Sequence, residues 1–184
     1  PLARLYLLAD DRERARLSLV KLGSFSEQYR KTGFVVSIWI QTGLAEIELA
    51  LLDGRPRQAL ATADALRSLM ESDGVRYLLA DVMLAGAKAL IRLERGDEAF
   101  ALLEAAEQRA RAIGSRRALW EILVLSARLS EEKGDRTVAD ARRVEAAQIV
   151  NAMAGTLTSV EMSASFRRWT TERTEQLSNL KEVK

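Results

Sequence analysis

Histidine and cysteine are both absent from the 184 residues. Thiol nucleophiles, Ser-His triads and Cys or His metal sites are therefore excluded within this chain. The chemistry left is that of carboxylates, guanidinium and ammonium groups and hydroxyls. No carboxylates fall into a paired acid–base or metal-ligand motif, and no glycine-rich phosphate loop occurs. The expectation is a binding module rather than an enzyme, with no catalytic residue, no metal and no cofactor.

Polar residues do recur, at an interval of 40 residues. Gln41, Asp81 and Glu121 form one aligned set, and Glu48, Lys88 and Arg128 a second. Arg92 aligns with Glu132, and with Leu52 in the preceding repeat. Within one helix Asp81, Ala85, Lys88 and Arg92 are spaced by four, three and four, which places them on one stripe. Packing alone gives no reason for charges at a repeated helical phase. Gln41, Glu48, Asp81, Lys88, Arg92, Glu121 and Arg128 are therefore expected to line a partner-binding groove. The plainer alternative is a solvated helix face.

The other candidates weigh less. Trp39 aligns with Leu79 and Leu119, and Trp120 with Ile40 and Ala80, so both read as packing residues, and Trp169 is grouped with them. Tyr77 aligns with Ser37 and Arg117 near a helix start, where exposure is expected. Arg109, Arg111, Arg116 and Arg117 gather around Gly114 and could meet phosphate or an acidic partner. Arginines at a helix C-terminus already complement its dipole, and Glu107 and Glu121 are near in sequence. With a net charge of only +2, nucleic acid is disfavoured as a partner of this segment.

The elements that must position these residues are helices. Leu2 to Ala9 reads as the end of a helix. Asp10, with Glu13 three residues on, reads as the capping box of the next, which runs to about Thr32 with Ala15, Leu19 and Leu22 on one face and ends at Gly33. A helix from near Phe34 carries Trp39, Leu44, Ile47 and Leu51 to Gly54, and Pro56 opens another that stops at Gly74. The stretch from Val75 to Gly114 reads as a hairpin whose first helix ends near Gly96. Ser115 and Asp135 are expected to cap the two helices that follow, ending at Gly134 and near Ala154. Thr158 and Glu161 read as a second capping box before a last helix through Val160, Phe166 and Trp169, with a solvated or frayed polar tail beyond. No stretch alternates in the manner of a strand. The predicted fold is all-α: about eight to nine helices in stacked antiparallel pairs, closed by a C-terminal capping helix.

The register resembles the tetratricopeptide repeat family from about Asp10 to Ala154. That family places a glycine at the turn between its two helices and an alanine five residues on. Gly54 precedes Ala59, with Ala63 and Leu66 after it, and Gly134 precedes Ala139, with Ala146 after it. Ala99, Leu103 and Ala106 continue the register, with Glu94 at the turn position and Gly96 two residues late. The family's usual tryptophan and tyrosine are replaced, and the period is longer. The resemblance implies a superhelix whose first helices line a concave peptide-holding groove. The long degenerate repeats, and the run Ala147 to Leu157 followed by Ser165 and Phe166, look like those of large bacterial ATP-binding transcription activators and ATPase-linked cyclases.

Hydrophobic residues at 48% and charged residues at 29% suit a folded chain, and no apolar run is long enough to span a membrane. A cytoplasmic location is the simplest expectation. The array is expected over residues 1–157, truncated at its N-terminus and continuing before Pro1, with a capping helix and polar tail over 158–184. The expected function is a protein–protein interaction or effector-sensing module of a larger bacterial signalling or transcription-regulatory protein. Its partner would be a protein or peptide segment or a small effector. The alternative is a self-association module forming a homodimer.

Overall fold

The computed structural model describes residues 2–9, 11–29 and 33–180, and of 4, 8, 22–29 and 33–37 the backbone only. Among the described residues the fold is all-α, with nine helices and no strand. They are α1 (Leu2–Leu8), α2 (Arg12–Tyr29), α3 (Gly33–Leu52), α4 (Pro56–Ser72), α5 (Leu79–Arg92), α6 (Gly96–Ala112), α7 (Arg116–Glu132), α8 (Arg136–Ala154) and α9 (Val160–Ser178). The chain divides into two compact units, 1–93 and 94–184, and the boundary falls inside the hairpin that the sequence singles out at 75–114.

In the first unit α1 packs on α2 and α3, α3 on α2, α4 and α5, and α4 on α5. In the second unit α6 packs on α7, α7 on α8, and α9 on both α7 and α8. Within each unit consecutive helices are joined by only a few residues, so neighbours there run antiparallel.

The period of 40 is written most plainly in the second helix of each pair. α4, α6 and α8 begin at residues 56, 96 and 136. Ala59, Ala99 and Ala139 are each 0% exposed. α4 buries Ala59, Ala63, Leu66 and Met70, and α6 buries the four positions 40 residues later: Ala99, Leu103, Ala106 and Ala110. The spacing of four, three and four keeps these on one apolar stripe facing the core.

The turns repeat as well. Gly54, Glu94 and Gly134 all take a left-handed backbone, at φ +69°, +59° and +87°. After Gly54 the Arg55 N–H donates to the Ala50 carbonyl at 2.8 Å, and after Gly134 the Asp135 N–H donates to Ser130 at 2.9 Å. These bonds satisfy helix-end carbonyls that would otherwise lack a partner. Glu94 takes the same backbone conformation without glycine's freedom, and the first helix of the 75–114 hairpin ends at Arg92 rather than near Gly96. Gly96 is instead the first residue of α6.

Several ends differ from the sequence expectation by a residue or a role. Asp11 receives the Arg14 N–H at 3.1 Å, while Asp10 and Thr32 lie outside the described residues, as does the Leu22 side chain. Gly33 begins α3 rather than terminating α2. Ser115 stands at the N-cap of α7, but its side chain makes no capping bond, whereas Asp135 caps α8 through the Val138 N–H at 3.2 Å. Ser159, not Thr158, caps α9 by accepting from the Met162 N–H at 3.3 Å, so Glu161 falls one place short of a capping box. α9 does not fray beyond Trp169: it remains helical to Ser178, with Thr170 and Leu177 buried. Residues 181–184 lie outside the described residues.

Candidate functional site

The seven stripe residues are carried by α3, α5 and α7. In the first unit Gln41 and Glu48 of α3 and Lys88 and Arg92 of α5 are half-buried, and Asp81 is buried at 6% exposure. Burial lowers the Arg92 guanidinium from its usual value. None of these five side chains is without a partner in the chain.

In the second unit the stripe is engaged by α9. Glu121 faces Arg173 at 3.5 Å, and both side chains are largely withdrawn from solvent. Arg128, 12% exposed, pairs with Glu132 at 3.1 Å and donates to the Leu177 carbonyl at 3.2 Å. That carbonyl belongs to the last turn of α9, where the helix leaves its acceptors unpaired and carries partial negative charge. An arginine there satisfies an acceptor and complements the dipole at once. The premise that a stacked helix pair has no internal use for these charges is corrected here: at α7 they hold α9. Arg173 and Leu177 were not singled out by sequence. α9 begins at Val160, four residues after the position 40 beyond the start of α7, so the repeat register does not reach it.

The tryptophans separate. Trp120 is 1% exposed and meets Trp169 edge-on at 6.0 Å, a geometry in which a ring's positive rim faces the other's negative face. Trp39 is half-buried on α3. Tyr77 is exposed, as its position suggests. Of the arginines around Gly114, Arg111 is held between Glu107 and Glu145, both at 2.7 Å. This raises the guanidinium further and holds the Glu145 carboxyl below its usual range, chiefly through the Arg111 hydrogen bond. Lys133 and Arg142 both lie over the Phe100 ring, at 4.6 and 5.1 Å.

Two cavities lie inside the units. One, of about 340 Å³, is enclosed by α7, α8 and α9 and lined by Trp120, Arg128, Arg143, Thr170 and Thr174 among others. Its cations are committed: Arg143 pairs with Glu131 and Asp140, and Arg128 as described. Thr170 and Thr174 spend their hydroxyl protons on the Arg167 and Thr170 carbonyls. The other, of about 520 Å³, lies between α3 and α4, with Trp39 and Glu46 in its wall. Among the described residues no group of three or more acidic side chains could hold a metal ion.

The chain matches no protein-family model, no curated protein and no solved structure. Among the described residues, no helix is long and apolar enough to cross a membrane. The geometry of the chain itself is left to carry the functional reading.

Proposed function

We propose that the chain is a tetratricopeptide-like helical-repeat module that binds a protein or peptide segment, or a small effector, and has no chemistry of its own. It would serve as the sensing or scaffolding part of a larger cytoplasmic bacterial signalling or transcription-regulatory protein. The supporting observation is the identical register of α4 and α6, with starts 40 residues apart and the same four positions buried. Repeated helix pairs of this kind present rows of equivalent side chains, and such rows suit extended recognition.

Within the stripe, Gln41, Glu48, Lys88 and Arg92 are the members proposed to meet a partner. Asp81 is too deeply buried to offer more than support, and Glu121 and Arg128 are occupied with α9. The test is capture of partners by the wild-type protein, followed by affinity measurement with a Glu48→Ala, Lys88→Ala double variant. Binding should weaken while the melting temperature changes little, because groove charges set complementarity and register. Unchanged affinity for every wild-type partner would remove the stripe from the reading.

Self-association is the second reading. It is favoured by the exposed apolar side chains at the start of α9, Val160 at 86% and Met162 at 58% exposure. Light scattering across a range of concentrations, repeated with Val160→Glu, distinguishes the two.

A further inference from the structure

The repeat supplies its own control for the cavity between α3 and α4. On one face of α3, at the helical spacing i, i+3, i+4 and i+7, four residues break the pattern of the other first helices. Trp39 stands where α5 and α7 have Leu79 and Leu119. Thr42 replaces Val82 and Ile122, Gly43 replaces Met83 and Leu123, and Glu46 replaces Gly86 and Ser126. All eight counterparts are buried. An indole, a hydroxyl and a carboxylate thus occupy positions that elsewhere in this chain fill the core.

α4 answers part of the change. Leu66 stands where α6 and α8 have Ala106 and Ala146, and its Cδ2 lies 2.8 Å from where a Cβ on Gly43 would sit. Large and small have changed sides, which closes one end of the gap. The remaining space, about 520 Å³, falls in the range of small-molecule sites.

Its lining has one electrostatic character. Among the described residues Glu46 is the one charged side chain lining it, and no cation pairs with its carboxylate. Glu46 is exposed at the open side of the cavity, and partial withdrawal from water pushes its carboxyl up from its usual value. Two of the four hydroxyls in its wall have given away their protons: Thr42 donates to the Ile38 carbonyl at 2.8 Å, and Ser72 to the Leu69 carbonyl at 2.9 Å. Their oxygens are left as acceptors. Trp39 adds the negative face of an indole. An anion would be repelled by the Glu46 carboxylate, and a neutral apolar ligand would leave that carboxylate without a counter-charge.

We propose that this cavity binds a small organic ammonium ion, its charge at Glu46 and its apolar body against Trp39 and Leu69. No stripe residue lines the cavity, so the proposal stands or falls apart from the partner groove.

The test uses benzyltrimethylammonium as the probe and benzyl alcohol as its neutral counterpart, each titrated into the whole chain. Binding is followed by calorimetry and by the Trp39 indole resonance, identified by its loss in Trp39→Phe. The cation should shift that resonance and the alcohol should bind about tenfold or more weakly, a comparison that needs no variant. Glu46→Gln should weaken the cation by a similar factor while leaving the circular dichroism unchanged. Thr42→Ile, which restores the residue of α7, should also weaken binding by narrowing the space. No binding by the wild-type chain, equal binding of cation and alcohol, or full affinity in folded Glu46→Gln would each overturn the proposal.

Discussion

The pair α3–α4 and the pair α7–α8 are built on one register and use it differently. In α7 the inward positions are Leu119, Ile122, Leu123 and Ser126, all buried, and the cavity on this pair lies elsewhere, against α9. In α3 the same positions hold Trp39, Thr42, Gly43 and Glu46, and the pair encloses a cavity. The turn glycines and the alanine at the close approach, Ala59 or Ala139, are common to both. The backbone frame is therefore set by a few turn and contact positions, and the remaining inward face is free to be core or cavity. That separation can be pressed by mutation.

The largest effect should come from the pair α7–α8. Trp120→Ala removes a fully buried indole and its edge contact to Trp169, and should cost about 3–5 kcal/mol in denaturant unfolding. Trp39→Ala should cost clearly less, because its ring is only half-buried. Equal losses would mean that Trp39 is a core residue and the cavity a minor void.

The exchange of large and small between α3 and α4 gives the next effect. Leu66→Ala should destabilise by about 2–5 kcal/mol and Gly43→Leu by about 1–3 kcal/mol. The double variant restores the residues of Leu123 and Ala146 and should cost less than the sum of the two. A coupling of at least about 0.5 kcal/mol is expected for residues in direct contact, read from a double-mutant cycle. Strict additivity would break the claim that these two positions compensate each other.

The turns should respond more modestly. Glu94→Gly relieves a left-handed glutamate and should raise stability by about 1 kcal/mol, whereas Gly134→Ala should lower it by a similar amount. Thermal melts of the two variants should move in opposite directions.

The smallest effects are electrostatic and differ in sign from one carboxylate to another. Asp53 at the end of α3, bonded first of all by Arg16 at 2.6 Å, and Glu145 of α8, bonded by Arg111, have carboxyls held below their usual values. Their contribution is present above the unfolded carboxylate pKa and is lost as pH falls through the lower folded value. Exposed pairs of this kind contribute only about 0–1 kcal/mol, so Arg111→Met should flatten the acid limb of the stability curve slightly. Glu46 has the opposite sign. Its raised carboxyl favours the folded state at low pH and loses that contribution as pH rises through the folded value, so Glu46→Gln should remove a shallow decline on that side. Curves of unfolding free energy against pH, measured for both variants, check the two signs.

What the sequence made legible was local. The turn at Glu94 and the cap at Asp135 follow from residues within a turn or two of each other, and the shared alanine of α4, α6 and α8 from the 40-residue period of such local patterns. Caps slipped by one residue where two cap-competent residues stand side by side, as with Thr158 and Ser159. The fate of the stripe was not legible, because Arg128 is engaged by a carbonyl at Leu177, 49 residues away, on a helix outside the repeat register. The cavity was hidden for a related reason. Gly43 and Leu66 look like unremarkable core residues until their counterparts in the other repeats are known to be inward-facing.

Within each unit every helix packs only on the next helix or the next but one. The chain separation between contacting residues is therefore short, and little loop entropy opposes their meeting. Folding rates of low-contact-order helical proteins lie in the range of about microseconds to milliseconds. Growth of the structure can begin at any helix pair and spread to its neighbours. On the ribosome, α3 can close on α4 as soon as α4 has emerged, without waiting for any distant part of the chain.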